Sequence, residues 1–208
     1  MKRIITAGEA VQRLQPWLEP LSASIYQGFG AYSEALSCLA NALDLPLDIA
    51  NRTRATILHD LACTHIKENL SDDPRLSMQK GKGYFKVIIE GCVLRIKKLK
   101  KTDLSPSNIP TKQTSEFENQ GEIPGLPPSL TNLYLGYTVD AAWSRIENVY
   151  LLCRKGGIAL WHVNIGTGDS QEQLDFTNQP LEPISPPQES RVKVKPGVVP
   201  AEVSFYNH

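Results

Sequence analysis

The residues best suited to chemistry form a run of cations, Arg95-Ile96-Lys97-Lys98-Leu99-Lys100-Lys101, set inside an apolar stretch. Alternate side chains of a strand share a face, so Arg95 and Lys97 are expected to project together and Lys98 and Lys100 to the other side. Such a pair can hold a phosphate or another anion. The competing reading is a solvated edge strand, whose lysines discourage edge-to-edge pairing. Arg54 is a second cation out of place, because it interrupts the apolar face of a predicted helix. A buried guanidinium needs a partner. The sequence offers Glu90 or Asp140 for a structural ion pair, or an acidic ligand in a cleft shared with Arg95 and Lys97. His65 lies on the same face and reads as a core histidine with its hydrogen bonds satisfied. Arg52, Arg54, Arg95, Lys97 and Gln113 are thus the candidate anion- or nucleic-acid-binding residues.

Catalytic groups are harder to assemble. His59 and Asp60 suit an acid–base pair by type, but neighbours on a helix diverge by about 100° and need not cooperate. Asp60, Glu90 and Asp140 with Lys97 supply the ingredients of a metal-dependent nuclease, without the compact spacing of an acidic residue one position from a lysine. The sequence contains no G-x-x-x-x-G-K, no G-x-G-x-x-G and no G-x-S-x-G, so phosphate-loop, dinucleotide and nucleophile-elbow chemistry have no motif to stand on. Gly28-Phe29-Gly30 lacks a preceding strand and a third glycine. Cys38, Cys63, Cys92 and Cys153 form no C-x-x-C pair and have no histidine at zinc-finger spacing. They read as reduced thiols packed in a cytoplasmic protein. No catalytic residue, metal or cofactor is assigned.

These residues must be positioned by helices first and strands afterwards. Thr6-Ala7-Gly8-Glu9 reads as a capping box that starts a helix, which Pro16 and Pro20 should break or reset. A separate short helix is expected over 31–43. The clearest helix runs from Asp44, as cap, to Asn69, with Pro46 in its first turn. Its apolar face carries Leu47, Ala50, Ile57, Leu58, Leu61 and Ala62; Arg52, Thr56, His59 and Lys67 gather opposite. Strands follow at 85–89 and 92–99, joined at Glu90-Gly91, then at 133–139, 149–154 and 158–165, with Lys155-Gly156-Gly157 as a second hairpin turn. The connection 100–131 should be an ordered loop with a short helix at 111–120. The fold class is therefore α+β, with N-terminal helices packed on a mostly antiparallel sheet. The expected organisation is one domain over 1–165, helical to 75 and a sheet over 84–165, followed by an extended proline-rich tail over 166–208.

Composition narrows the function. Hydrophobic residues make up 41% of 208 residues, enough for a core. The 22 Lys+Arg balance the 22 Asp+Glu, which argues against a general nucleic-acid coat or a membrane-surface binder. No apolar run approaches the roughly 18 residues of a membrane span. MKRIITAGEAVQRLQP has no apolar stretch after its basic start, so no secretory signal is expected.

Several stretches together resemble a known family. They are Arg52-Thr53-Arg54-Ala55, Val93-Leu94-Arg95-Ile96-Lys97-Lys98-Leu99, Asn108-Ile109-Pro110-Thr111-Lys112-Gln113, Gln120 with Ile123-Pro124-Gly125-Leu126-Pro127, and Leu135-Gly136-Tyr137-Thr138-Val139-Asp140. The family is one of small, poorly characterised bacterial proteins. Their genes adjoin one encoding a helix-turn-helix repressor fused to a zinc-peptidase-like domain (ImmA/IrrE-type). Such pairs are similar to toxin–antitoxin or phage-defence modules. The resemblance spans about residues 50–165. It implies a helix-turn-helix/zinc-peptidase-like partner from the neighbouring gene, and no catalytic residue. Two readings result. In one, the chain is the protein-interaction component of such a two-gene module. In the other, it is a toxin acting on nucleic acid or a nucleotide through a basic cleft.

Overall fold

A computed structural model describes residues 3–44, 47–81, 84–107 and 111–166. The proline-rich tail, beyond Gly166, and the expected role of Pro46 lie outside the described residues.

The first helix, α1 (Ala7–Leu43), begins at the Thr6 capping box, with Glu9 N–H donating to the Thr6 hydroxyl and the Glu9 carboxylate accepting from Thr6 N–H. It does not stop at Pro16 or Pro20 and absorbs the separate helix expected over 31–43. An interior proline costs a helix about 3 kcal/mol. Here both fall off the buried stripe Ala10, Leu14, Trp17, Leu21, Ile25, Gly28 and Tyr32, and tertiary burial along that stripe, about 1.5–3 kcal/mol for each large side chain, outweighs them. Asp44, expected to open the second helix, instead closes α1 in the left-handed region at φ 51°. The second helix, α2 (Asn51–Leu70), starts seven residues later than expected. α1 and α2 approach closely at Gly28, where a Cβ would lie 2.7 Å from Ala62 Cα.

Six strands follow: β1 (Leu76–Gly81), β2 (Tyr84–Ile89), β3 (Cys92–Lys98), β4 (Thr131–Val139), β5 (Ile146–Lys155) and β6 (Ile158–Asn164). They form one sheet in sequence order. All neighbours are antiparallel except β3 and β4, which are parallel. The protein is α+β, as the order of helical and β patterns predicts. β1 was not expected; its LSMQKG sequence is half exposed and carries little strand signal. The parallel pair requires a crossover, residues 99–130, which holds α3 (Lys112–Glu118).

The helices and the crossover cover opposite faces. Leu14, Leu21, Ile25, Leu58, Ala62 and Ile66 pack on Val87, Leu94, Leu135, Val149 and Leu151. On the other face Leu99, Leu104, Phe117 and Leu130 pack on Val93, Tyr134 and Leu152. β4 is buried along its whole length because both layers cross it. The three tryptophans join distant parts through their indole N–H groups: Trp17 to Asp73, Trp143 to Asn51 Oδ1 and Trp161 to the Ile5 carbonyl, each at 2.9 Å. Among the described residues no helix is long and apolar enough to cross a membrane.

Candidate functional site

The sheet splits at one end. β1 stays paired with β2 as far as Gly81–Tyr84, and β3 with β4 as far as Lys98–Tyr137. Between β2 and β3, however, the registered pairs run only from Ile89–Cys92 to Lys86–Arg95. α2 lies over this split, and together they enclose a groove of about 970 Å³. The helix contributes its polar face, Arg52, Thr56, His59, Cys63 and Lys67; β1 and β2 contribute Lys80 and Phe85; β3 and β4 contribute Lys97, Lys98 and Tyr137.

Charge in this groove is one-sided. Among the described residues that line it, Arg52, Lys67, Lys80, Lys97 and Lys98 face a single carboxylate, Asp60. Two of the lysines rest on aromatic faces, Lys67 Nζ 5.5 Å from the Phe85 ring centroid and Lys98 Nζ 5.2 Å from that of Trp143. Burial holds the Lys97 amine below its ordinary pKa, and Arg95 adds to the depression. Burial likewise lowers His59, against the opposing pull of Asp60. The Tyr137 hydroxyl is fully buried and has no hydrogen-bond partner among the described residues.

The five candidate residues separate. Arg52 and Lys97 line the groove. Arg95 and Gln113 line a different pocket, about 150 Å³, on the crossover face with Lys86, Glu116 and Glu122. Arg95 and Lys97 therefore line different pockets, although Arg95 stays close enough to act electrostatically on Lys97. Arg95 instead stacks over Phe117, 5.0 Å from the centroid. Arg54 lines neither pocket; its Nε donates to the Ile49 carbonyl at 2.9 Å. Its two proposed carboxylates are engaged elsewhere in the chain. Asp140 accepts from Ser144 and Arg145, and Glu90 lies in the β2–β3 turn at φ 43°. In the crossover pocket two cations meet two carboxylates, so it lacks the excess charge of the groove.

Catalytic constellations fare poorly on geometry. His59 Nδ1 does reach Asp60 Oδ1, at 3.1 Å, despite their adjacency. Cys63 Sγ lies 3.8 and 3.7 Å from His59 Nδ1 and Nε2. Near-equal distances align the thiol with neither ring lone pair, and burial pushes its pKa up to about 12, the opposite of an activated nucleophile. Asp60, Glu90 and Asp140 sit in the groove, in the β2–β3 turn and after β4. No group of three or more His, Cys, Asp or Glu among the described residues is placed to hold a metal ion. His65 is not a core histidine; it is partly exposed and lies 3.1 Å from Glu68 Oε2.

Sequence reasoning placed Arg52, Thr56, His59 and Lys67 on one helix face, and all of them line the groove. It missed Lys80, which sits on the unforeseen β1, and the buried Lys86 and Arg154, which look like ordinary strand-end cations. No family model, curated protein or solved structure matches this chain.

Proposed function

We propose that the protein binds a phosphate-bearing ligand, a nucleotide or a nucleic acid, in the groove under α2, as a binding protein without a hydrolytic step of its own. The observation that carries this is the imbalance, among the described residues, of five cations against one carboxylate around a groove of about 970 Å³. Cations lining one groove give it a positive potential that draws in a polyanion. The test is thermal melting with inorganic phosphate, ATP and an oligonucleotide. A ligand at about 100 times its Kd stabilises by roughly 2.7 kcal/mol, so a rise of several degrees is expected in the wild type. The rise should vanish in the Arg52→Ala/Lys97→Ala double variant. A melting temperature indifferent to all three ligands would overturn the reading.

A second reading, an interaction component of a bacterial two-gene toxin–antitoxin or phage-defence-like module, rests on the resemblance and on one further observation. β6 is an edge strand, Ile-Ala-Leu-Trp-His-Val-Asn, without a charged residue, and its Ile158 and Leu160 are 57% and 41% exposed. Uncharged apolar edges invite strand addition. We propose a cytoplasmic setting, which suits four cysteines outside any disulfide. Co-expression with the neighbouring helix-turn-helix/zinc-peptidase-like protein should give a complex that co-purifies and that Leu160→Lys weakens. Recovery of separate species would count against the partnership.

A further inference from the structure

Resting on the phosphate-binding reading, we infer that the groove's ligand is a single-stranded nucleic acid, held along α2 by its phosphates with its bases turned outward, and not a mononucleotide.

The cations are strung out, not convergent. Arg52 and Lys67 are separated by 15 residues of α2, about 22 Å at 1.5 Å per residue. They mark the two ends of a row. Lys98 lies against Trp143, whose indole is bonded to Asn51, so Arg52 and Lys98 belong to the start of α2. Lys97 follows beside Lys98, and Lys67, Lys80 and Lys97 all act electrostatically on the Cys63 thiol in the fourth turn. One phosphate group, or the close-set phosphates of a mononucleotide, cannot reach both ends of the row. A chain of phosphates can. About six to seven phosphate-to-phosphate steps of ~3.4 Å span that distance, fewer if the strand is extended.

Shape argues against a duplex. Double-stranded DNA is read by elements that protrude into its grooves; here the cations line a recess between a helix and a split sheet, which suits a single strand better. Among the described residues the groove offers no stacking platform. Phe85 and Tyr137 are buried, and Lys67 occupies the Phe85 ring face. Without base stacking, a usual source of modest sequence preference, binding should be nearly indifferent to base identity.

The experiment is a fluorescence-anisotropy series with thymidine monophosphate, ATP, and labelled oligothymidylates and oligoadenylates of two to twelve nucleotides, repeated across salt concentrations, with a hairpin duplex alongside. Affinity should climb with length, level off near six nucleotides and differ little between the two bases. Its logarithm should fall with log salt at a slope approaching about −3.5, from five cations at about −0.7 each for single strands. Arg52→Ala and Lys67→Ala, at opposite ends, should each reduce the slope by about 0.7 and shorten the plateau length; circular dichroism confirms their fold. ATP binding as tightly as the octamer, with a slope no steeper than about −1, would overturn the single-strand inference and leave the phosphate-binding reading standing. Equal affinity for the duplex would also overturn it. No binding by any phosphate ligand would remove both.

Discussion

On the crossover face, the buried Arg154 donates to the Asp103 carbonyl at 3.1 Å and to the Gly157 carbonyl, with its Nε 3.5 Å from Glu118 Oε1. On the helix face, Lys97 is half-buried, yet among the described residues it shares its groove with four other cations and one carboxylate. The first arrangement surrounds a charge with acceptors drawn from the crossover, α3 and the β5–β6 turn. Its neighbours follow the same rule: Gln120 donates to the Asn132 and Arg154 carbonyls and accepts from Asn132 N–H, all at 3.0 Å or less. The second arrangement concentrates like charges; an unpartnered buried hydroxyl does not set it apart, because Tyr137 there and Tyr134 on the crossover face both lack a hydrogen-bond partner among the described residues. Polar groups that hold a fold together are paired within it. Polar groups that remain poised against one another store a preference for something from outside.

Mutation should separate the two faces sharply. Arg154→Ala leaves Glu118 without its cation and two carbonyls without donors. Breaking a buried pair from one side costs about 3–5 kcal/mol, so the urea midpoint should drop by a large fraction of the total stability. Lys97→Ala removes a half-buried amine disfavoured by its partial burial and by Arg95. Its effect on the midpoint should stay within about 1 kcal/mol, while anion binding falls. Equal losses from the two variants would mean that the groove lysine is as structural as the crossover arginine, and the contrast between the faces would collapse.

How much of this was legible beforehand differs between the same two regions. The α2 face was readable because helical periodicity alone collects Arg52, Thr56, His59 and Lys67. The α+β class followed from the change of pattern after residue 75. What the sequence could not supply was the split between β2 and β3. Period-two alternation grouped Lys97 with Arg95, and the β3–β4 ladder does run through both; what it could not show is that the β2–β3 ladder stops at Arg95 and leaves Lys97 lining the groove under α2. Pro16 and Pro20 misled for a related reason: local propensity was read without the buried stripe that overrides it. Gly28-Phe29-Gly30 lacks the context of a nucleotide loop, and the missing Cβ of Gly28 serves instead the contact with Ala62. The crossover clamp left no trace at all, since Gln120, Asn132 and Arg154 are paired over separations from 12 to 51 residues.

The smallest expected effect is also the most specific to the groove, and it concerns His59. Its imidazole faces Asp60 and Cys63 on its own helix and feels Lys97 and Arg95 from β3. Burial, the largest influence, holds its pKa below the ordinary 6.5. In the free protein the unfolded chain therefore takes up a proton that the folded chain resists. Stability should be full above about pH 6.5 and decline as pH falls through and below that value. A phosphate strand in the groove acts in the opposite direction, because its negative charge favours the imidazolium. Binding should then draw in a proton, and affinity should rise over the same interval in which the free protein loses stability. An NMR titration of the histidine ring protons reads this directly. The His59 midpoint should move up when an oligothymidylate is added, while His65, paired with Glu68 outside the groove, serves as the control. In His59→Gln both the pH slope of affinity and its share of the stability slope should disappear. A His59 midpoint unchanged by the oligonucleotide, alongside intact binding, would place the strand away from the middle of α2 and leave the two faces of the sheet less different than their charges suggest.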